Sequence, residues 1–138
     1  MEASDPTIQS MKEAAWAALE RSYSPYSKFK VGGAVLTLSG QIYAACNIEN
    51  ASYGLSICAE RLAVFQAIAD GQRQLTAVVV VADTPVPTPP CGACRQVINE
   101  FGRQAQVFCF NRLEAVLSFR QTQLLPNAFG PENLTITG

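Results

Sequence analysis

The chain has 138 residues, 49% hydrophobic and only 15% charged, with a formal net charge of -1. That is enough apolar material for a single domain over 1–138, and no Lys/Arg cluster is present to track a phosphate backbone, which disfavours a nucleic-acid partner. Histidine is absent, which removes His general bases, Ser-His-Asp and Cys-His nucleophile systems, and every His-ligated metal site.

Residues Met1 to Thr7 lack the basic and apolar regions of a secretory signal. The longest apolar stretch, Ala77 to Ala82, is too short to span a bilayer. Five cysteines without such a signal point to a reducing, cytoplasmic location with free or metal-bound thiols. Low charge beside high apolar content also points to surface buried against further copies of the chain.

Asp5-Pro6 reads as a helix N-cap followed by proline at the first helical position. Ile8, Met11, Ala15, Ala18 and Leu19 then recur at helical spacing, predicting a helix to about Ser22. Ser22 to Ser27, around Pro25, is a loop. Lys30–Leu38 and Gln41–Asn47 flank Ser39-Gly40 and predict a β-hairpin. A second helix opens near Cys58, with Leu62, Phe65 and Ala69 on one face, and stops at Asp70-Gly71. Leu75–Val81 is a β-branched run suited to a strand covered on both faces.

Asp83 to Pro90 holds four prolines and is a loop, with Asp83 in a turn role. A third helix over Cys91–Phe101 precedes strands at Gln106–Phe110 and Glu114–Leu117. A short helix over Phe119–Leu124 is stopped by Pro126. The order of elements predicts an α/β protein, a three-layer α/β/α sandwich on a mixed five-stranded sheet.

Two segments concentrate the chemistry: Cys58-Ala59-Glu60 and Pro90-Cys91-Gly92-Ala93-Cys94. Each opens a predicted helix. Cys91 and Cys94 face the same way on a first helical turn, and Cys58 can supply a third thiolate. Three thiolates leave one tetrahedral position of Zn²⁺ open, the mark of a catalytic rather than a structural site. Helix N-termini stabilise thiolates, but three of them outweigh the metal's charge. Arg61, three residues after Cys58, is placed to donate to the Cys58 and Cys91 thiolates, helped by Gln96. Glu60 is the acid/base candidate. It can share a site with Cys58 only if that site lies off the helix end.

This pattern is the three-cysteine form of the zinc deaminase signature. The chain resembles the small, homotetrameric class of cytidine deaminases over nearly its whole length. The likeness is carried by Pro25-Tyr26-Ser27-Lys28-Phe29-Lys30-Val31-Gly32, Cys46-Asn47-Ile48-Glu49-Asn50, Cys58-Ala59-Glu60-Arg61, Pro90-Cys91-Gly92-Ala93-Cys94-Arg95-Gln96-Val97 and Leu124-Leu125-Pro126-Asn127-Ala128-Phe129. The resemblance implies zinc on Cys58, Cys91 and Cys94 and a proton shuttle at Glu60. It also implies an Ala59 N–H that holds the base's O2, Asn47 and Glu49 on the ribose hydroxyls, and Phe29 against the base. Tyr53 and Phe129 would enter a neighbouring subunit's pocket, so that the active sites are shared in a homotetramer. The implied reaction is hydrolytic deamination of cytidine and 2′-deoxycytidine in pyrimidine salvage. One departure is Gly33, where the family usually has alanine; glycine within a strand weakens it or signals close backbone approach.

Without the resemblance, Asn47 and Glu49 read as turn residues, Phe29 as core or ligand contact, and Tyr53 and Phe129 as loop aromatics. Cys46 and Cys109 sit in predicted strands and read as small core residues. Three rival functions remain open: deamination of another aminopyrimidine nucleoside such as blasticidin S, deamination of nucleotides or polynucleotides, and a non-catalytic zinc module. The Asn47-Ile48-Glu49 segment, the lack of His and basic surface, and Glu60 respectively weigh against them.

Overall fold

The valine-rich run forms the central strand of the structure, a computed structural model in which residues 1–134 are described. Strand β1 (Val31–Thr37) and strand β2 (Ile42–Cys46) make the expected hairpin, and β3 (Leu75–Ala82) is the valine-rich strand. Strands β4 (Gln106–Phe110) and β5 (Val116–Arg120) complete a sheet of order β2-β1-β3-β4-β5. The β3–β4 pair is parallel and the others are antiparallel, so the sheet is mixed.

Helix α1 (Pro6–Leu19) covers one face. Its Ile8, Met11, Ala15 and Leu19 pack on Ala34, Leu36, Ala77, Val79, Val81, Phe108 and Phe110. Helices α2 (Ala59–Ala69) and α3 (Gly92–Phe101) cover the other. There Ala63, Val64, Ala67 and Ile98 meet Val35, Val78, Val80, Val107 and Cys109. The period-two alternation along β1, β3 and β4 separates the two cores, and β3 is apolar on both faces because both are covered.

The connections explain where the two later helices start. The passages β2–α2–β3 and β3–α3–β4 step across the sheet in the same direction, and crossovers of one hand then put both helices on one face. Each helix begins after the carboxyl end of its strand, so both N-termini meet at one sheet edge, the usual place for a ligand site in such sheets. Antiparallel β1 starts at that edge, which brings Phe29 and Val31 there.

Three local expectations needed correction. Helix α1 ends at Leu19 rather than Ser22, because Arg21 N and Ser22 N bond back to Ala18 O and Leu19 O in tight turns. Asp5 is the N-cap of α1 with Pro6 at the first position, as expected, although its carboxylate accepts from Glu2 N rather than from a helix N–H. On α2 the buried residues are Ala59, Glu60, Ala63, Val64 and Ala67, while Phe65 is 43% exposed. The helix is apolar nearly all round, and its small residues allow the closer approach to the sheet. Finally, β5 starts at Val116, because the buried Asn111 side chain accepts from Leu113 N and Ala115 N and holds that segment as a turn. Phe119 and Arg120 then pair with Val107 and Gln106, leaving only Gln121–Leu124 for helix α4.

Candidate active site

Cys58 and Cys91 occupy equivalent positions. Each is the extended N-cap of its helix, with φ and ψ of -77° and 153° for Cys58 and -70° and 172° for Cys91. Cys94 lies in the first turn of α3 and is fully buried. Their three Sγ atoms lie within 4.8 Å of one another, with Cys58–Cys91 at 3.7 Å and Cys91–Cys94 at 3.4 Å. Zinc–sulfur bonds of about 2.3 Å in a tetrahedron put sulfurs roughly 3.8 Å apart. The donor set therefore fits Zn²⁺ with one position open. Cys46 and Cys109 are buried in β2 and β4 as core residues, and burial pushes the Cys109 thiol up to about 12. Cys94→Ala leaves two thiolates and is expected to strip the metal, with zinc falling from about one per chain to a small fraction by elemental analysis of gel-filtered protein.

The surroundings favour negative sulfur at Cys58. The neighbouring Cys94 thiol, together with the Arg61 guanidinium, holds the Cys58 thiol down at about 5. The same pairing and burial push Cys94 upward. Arg61 Nη2 donates to Cys58 Sγ at 3.5 Å; among the described residues it makes no such bond to Cys91. Gln96 takes no part in this cluster. It lies two residues beyond Cys94, so it leaves the helix on nearly the opposite side, and its Nε2 donates to Phe129 O at 2.9 Å.

Glu60 is 4% exposed. Its carboxyl is pushed up to about 7, mainly by burial and further by Cys58, against a hydrogen bond from its own backbone N–H. It can occupy this depth because α2 starts hard against β1. A Cβ on Gly33 would lie 3.2 Å from Ala59 C and from Glu60 N, so the departure at this position reflects close backbone approach.

Around these groups lies a cavity of about 420 Å³, lined by Phe29, Val31, Asn47, Glu49, Tyr53, Cys58, Ala59, Glu60, Arg61 and Cys91, with Thr88 and Pro89. Asn47 shapes its wall. Its Oδ1 accepts from Val31 N at 3.0 Å and from Ser22 Oγ, and its Nδ2 donates to Phe29 O at 2.7 Å. Glu49 accepts from Tyr26 N and Ser27 N at 2.9 and 3.1 Å and from Ser27 Oγ. These bonds, that of the Ser27 hydroxyl first, hold its carboxyl below the ordinary carboxylate range. Phe29 is 41% exposed and is not a core residue. Ala59 stands in the first turn of α2, where backbone N–H groups have no intrahelical partner.

One chain thus brings together the three cysteines, Glu60, Arg61, Ala59, Phe29, Asn47, Glu49 and Tyr53. Phe129 stays outside that cavity, on the tail after α4, and is 58% exposed. Sequence reasoning missed Ser27 as the residue that orients Glu49, and Thr88 and Pro89 as wall. Ser27 lies 22 residues from its partner, and no local pattern announces such a pairing.

Fold and site together define a zinc-site hydrolase of the nucleobase-deaminating class: two helix N-termini present three thiols, and a buried carboxyl stands beside them in a nucleoside-sized cavity. The chain belongs to the cytidine and deoxycytidylate deaminase zinc-binding family, whose model matches residues 6–110. It is 49% identical over 119 residues to a cytidine deaminase of Sporosarcina psychrophila, covering 86% of this chain and 88% of the relative. To the cytidine deaminase of Halalkalibacterium halodurans it is 47% identical over 118 residues, covering 85% and 89%. The crystal structure of cytidine deaminase from Burkholderia pseudomallei superposes with a TM-score of 0.84 at 48% identity, covering 88% of this chain and 98% of that one.

Proposed function

We propose that this chain is a single catalytic domain that hydrolyses free cytidine and 2′-deoxycytidine to the uridine nucleosides and ammonia. The observation that carries the reading is the buried Glu60 carboxyl beside three Sγ atoms within 4.8 Å of one another, at the inner end of the Asn47–Glu49 cavity. When bound to these thiolates, Zn²⁺ supplies the Lewis acidity that makes water nucleophilic near neutral pH. Glu60 takes a proton from the attacking water and delivers it to N3 of the base, then moves the remaining hydroxyl proton to the 4-amino group as the C4–N bond breaks and ammonia leaves. The Ala59 N–H donates to O2, fixing the ring. Glu49, already ionised, accepts from a ribose hydroxyl, and Asn47 offers its second N–H while the first holds Phe29. Arg61 offsets part of the thiolate charge so that the metal keeps its acidity.

Exposed Tyr53, Leu55, Phe65 and Phe129 support association with further copies, as a homotetramer in which Tyr53 and Phe129 complete neighbouring pockets. Five free thiols favour a reducing, cytoplasmic compartment and a role in pyrimidine salvage. No helix among the described residues is long and apolar enough to cross a membrane.

Incubation with cytidine, followed by absorbance, is expected to show conversion to uridine that disappears with a zinc chelator and tracks about one zinc per chain. Full zinc with no turnover of cytidine or deoxycytidine, and turnover of blasticidin S instead, would move the substrate to another aminopyrimidine nucleoside.

A further inference from the structure

The segment that carries Phe129 has no regular structure until the 3-10 turn at Pro131–Leu134, and one side chain of α3 and one from the turn after α3 hold it. Gln96 Nε2 donates to Phe129 O at 2.9 Å, and Arg103 Nη2 pairs with Glu132 Oε1 at 2.7 Å. Gln96 lies within α3, and Arg103 stands in the turn just past the helix's C-cap at Gly102. Between the two contacts, buried Gly130 lies flat on the ion pair. A Cβ there would meet Arg103 Nη2 at 2.5 Å and Glu132 Oε2 at 2.7 Å. Gly130 N also donates to Asn133 Oδ1 at 2.9 Å, closing the turn that returns Glu132 to Arg103.

The same helix holds the metal loop. Arg95 Nε donates to Pro90 O at 2.8 Å, immediately before Cys91, and its Nη1 donates to Leu124 O at 3.1 Å, immediately before the tail. Helix α3 therefore sets the distance between the Cys91–Cys94 turn and the Phe129 backbone. The backbone of Phe129 is fixed, yet its ring is exposed and lies outside its own chain's cavity.

We propose that Gln96 and Arg103 are positioning residues that clamp the tail onto α3 and the turn that follows it, so that Phe129 projects in one direction and closes the nucleoside cavity of a second copy of this chain. The proposal rests on the shared-site reading above. Its consequence is a specific one: the clamp acts on nucleoside binding by the neighbouring copy, because losing it spreads Phe129 over many positions of which few fit the pocket, and apparent affinity falls by that fraction.

The test is a charge swap in the full-length zinc-loaded protein, reading kcat, KM for cytidine, zinc per chain and solution mass. Arg103→Glu and Glu132→Arg are each expected to raise KM about two- to fivefold, more than they lower kcat, with zinc and mass unchanged. The double variant, which restores the pair in reverse, is expected to bring KM back to within about twofold of the parent. Gln96→Ala is expected to raise KM in the same range. Single reversals that leave KM unmoved, or a double variant that recovers nothing, would overturn the clamp. Phe129→Ala separates the two layers. If it raises KM while the clamp variants do not, the clamp alone is wrong; if it too leaves KM unmoved, the shared site is wrong and the clamp falls with it.

Discussion

Glu60→Ala is expected to lower kcat by about 10²–10⁴-fold, the usual effect of losing a general acid/base, while zinc stays at about one per chain. The two readouts separate because Glu60 is not among the three sulfur donors that define the metal site. Its side chain is 4% exposed, so a truncated site leaves room for water but no group able to carry a proton between that water and the base. Removing a buried carboxyl that burial already holds toward its neutral form should not cost stability, so thermal unfolding of the variant is expected near that of the parent. Steady-state deamination of cytidine with elemental zinc analysis on one sample checks both. Loss of zinc along with activity would make Glu60 a structural support of the metal site, and the proton-shuttle assignment would fail.

The largest stability effect is expected far from that chemistry, at Gly32. A Cβ there would lie 2.0 Å from Ala15 O, 2.9 Å from Ala15 C and 3.0 Å from a Val81 methyl. The clashing atoms belong to the backbone of α1, so no side-chain rotation relieves them. The helix must lift off the sheet, loosening Ile8, Met11, Ala15 and Leu19, which with their partners form one of the two cores. Overpacking typically costs 1–3 kcal/mol, and a backbone collision falls at or above the upper end. Gly32→Ala is therefore expected to destabilise by about 3 kcal/mol or more, a fall in Tm of roughly 10 °C for a chain of this size. Gly33→Ala is the built-in comparison, since its contacts are no closer than 3.2 Å and the start of α2 has to give only slightly. Equal melting of the two variants would show that α1 is not seated on Gly32.

Much of the site was legible because its parts are local. Cys58 and the Cys91/Cys94 pair open two helices, and helix openings are marked by the loop-to-periodicity change that precedes them. The absence of histidine left cysteine and carboxylate chemistry to do the work. Asn47 and Glu49 were legible only through the family likeness. Their hydrogen bonds run to Ser22, Phe29, Val31, Tyr26 and Ser27, 16 to 25 residues away, and short-range pattern carries no information about such pairs. Gln96 shows the opposite failure. Its place in the motif suggested the thiolates, but the two-residue step from Cys94, about 200° around the helix, sends it to the Phe129 carbonyl.

The sequence by itself determined the order of elements, the face of α1 that is buried, the two-sided burial of β3 and which three cysteines are grouped so that they could hold a metal ion, because period, proline placement and helix starts act over a few residues. Only the tertiary structure decided which face of α2 packs, where β5 begins, that Gly33 admits the start of α2, and that α3 holds the Phe129 tail. Each of those outcomes is a competition between contacts distant in the chain, and packing distance, hydrogen-bond partners and burial settle it once the sheet has brought the competitors together.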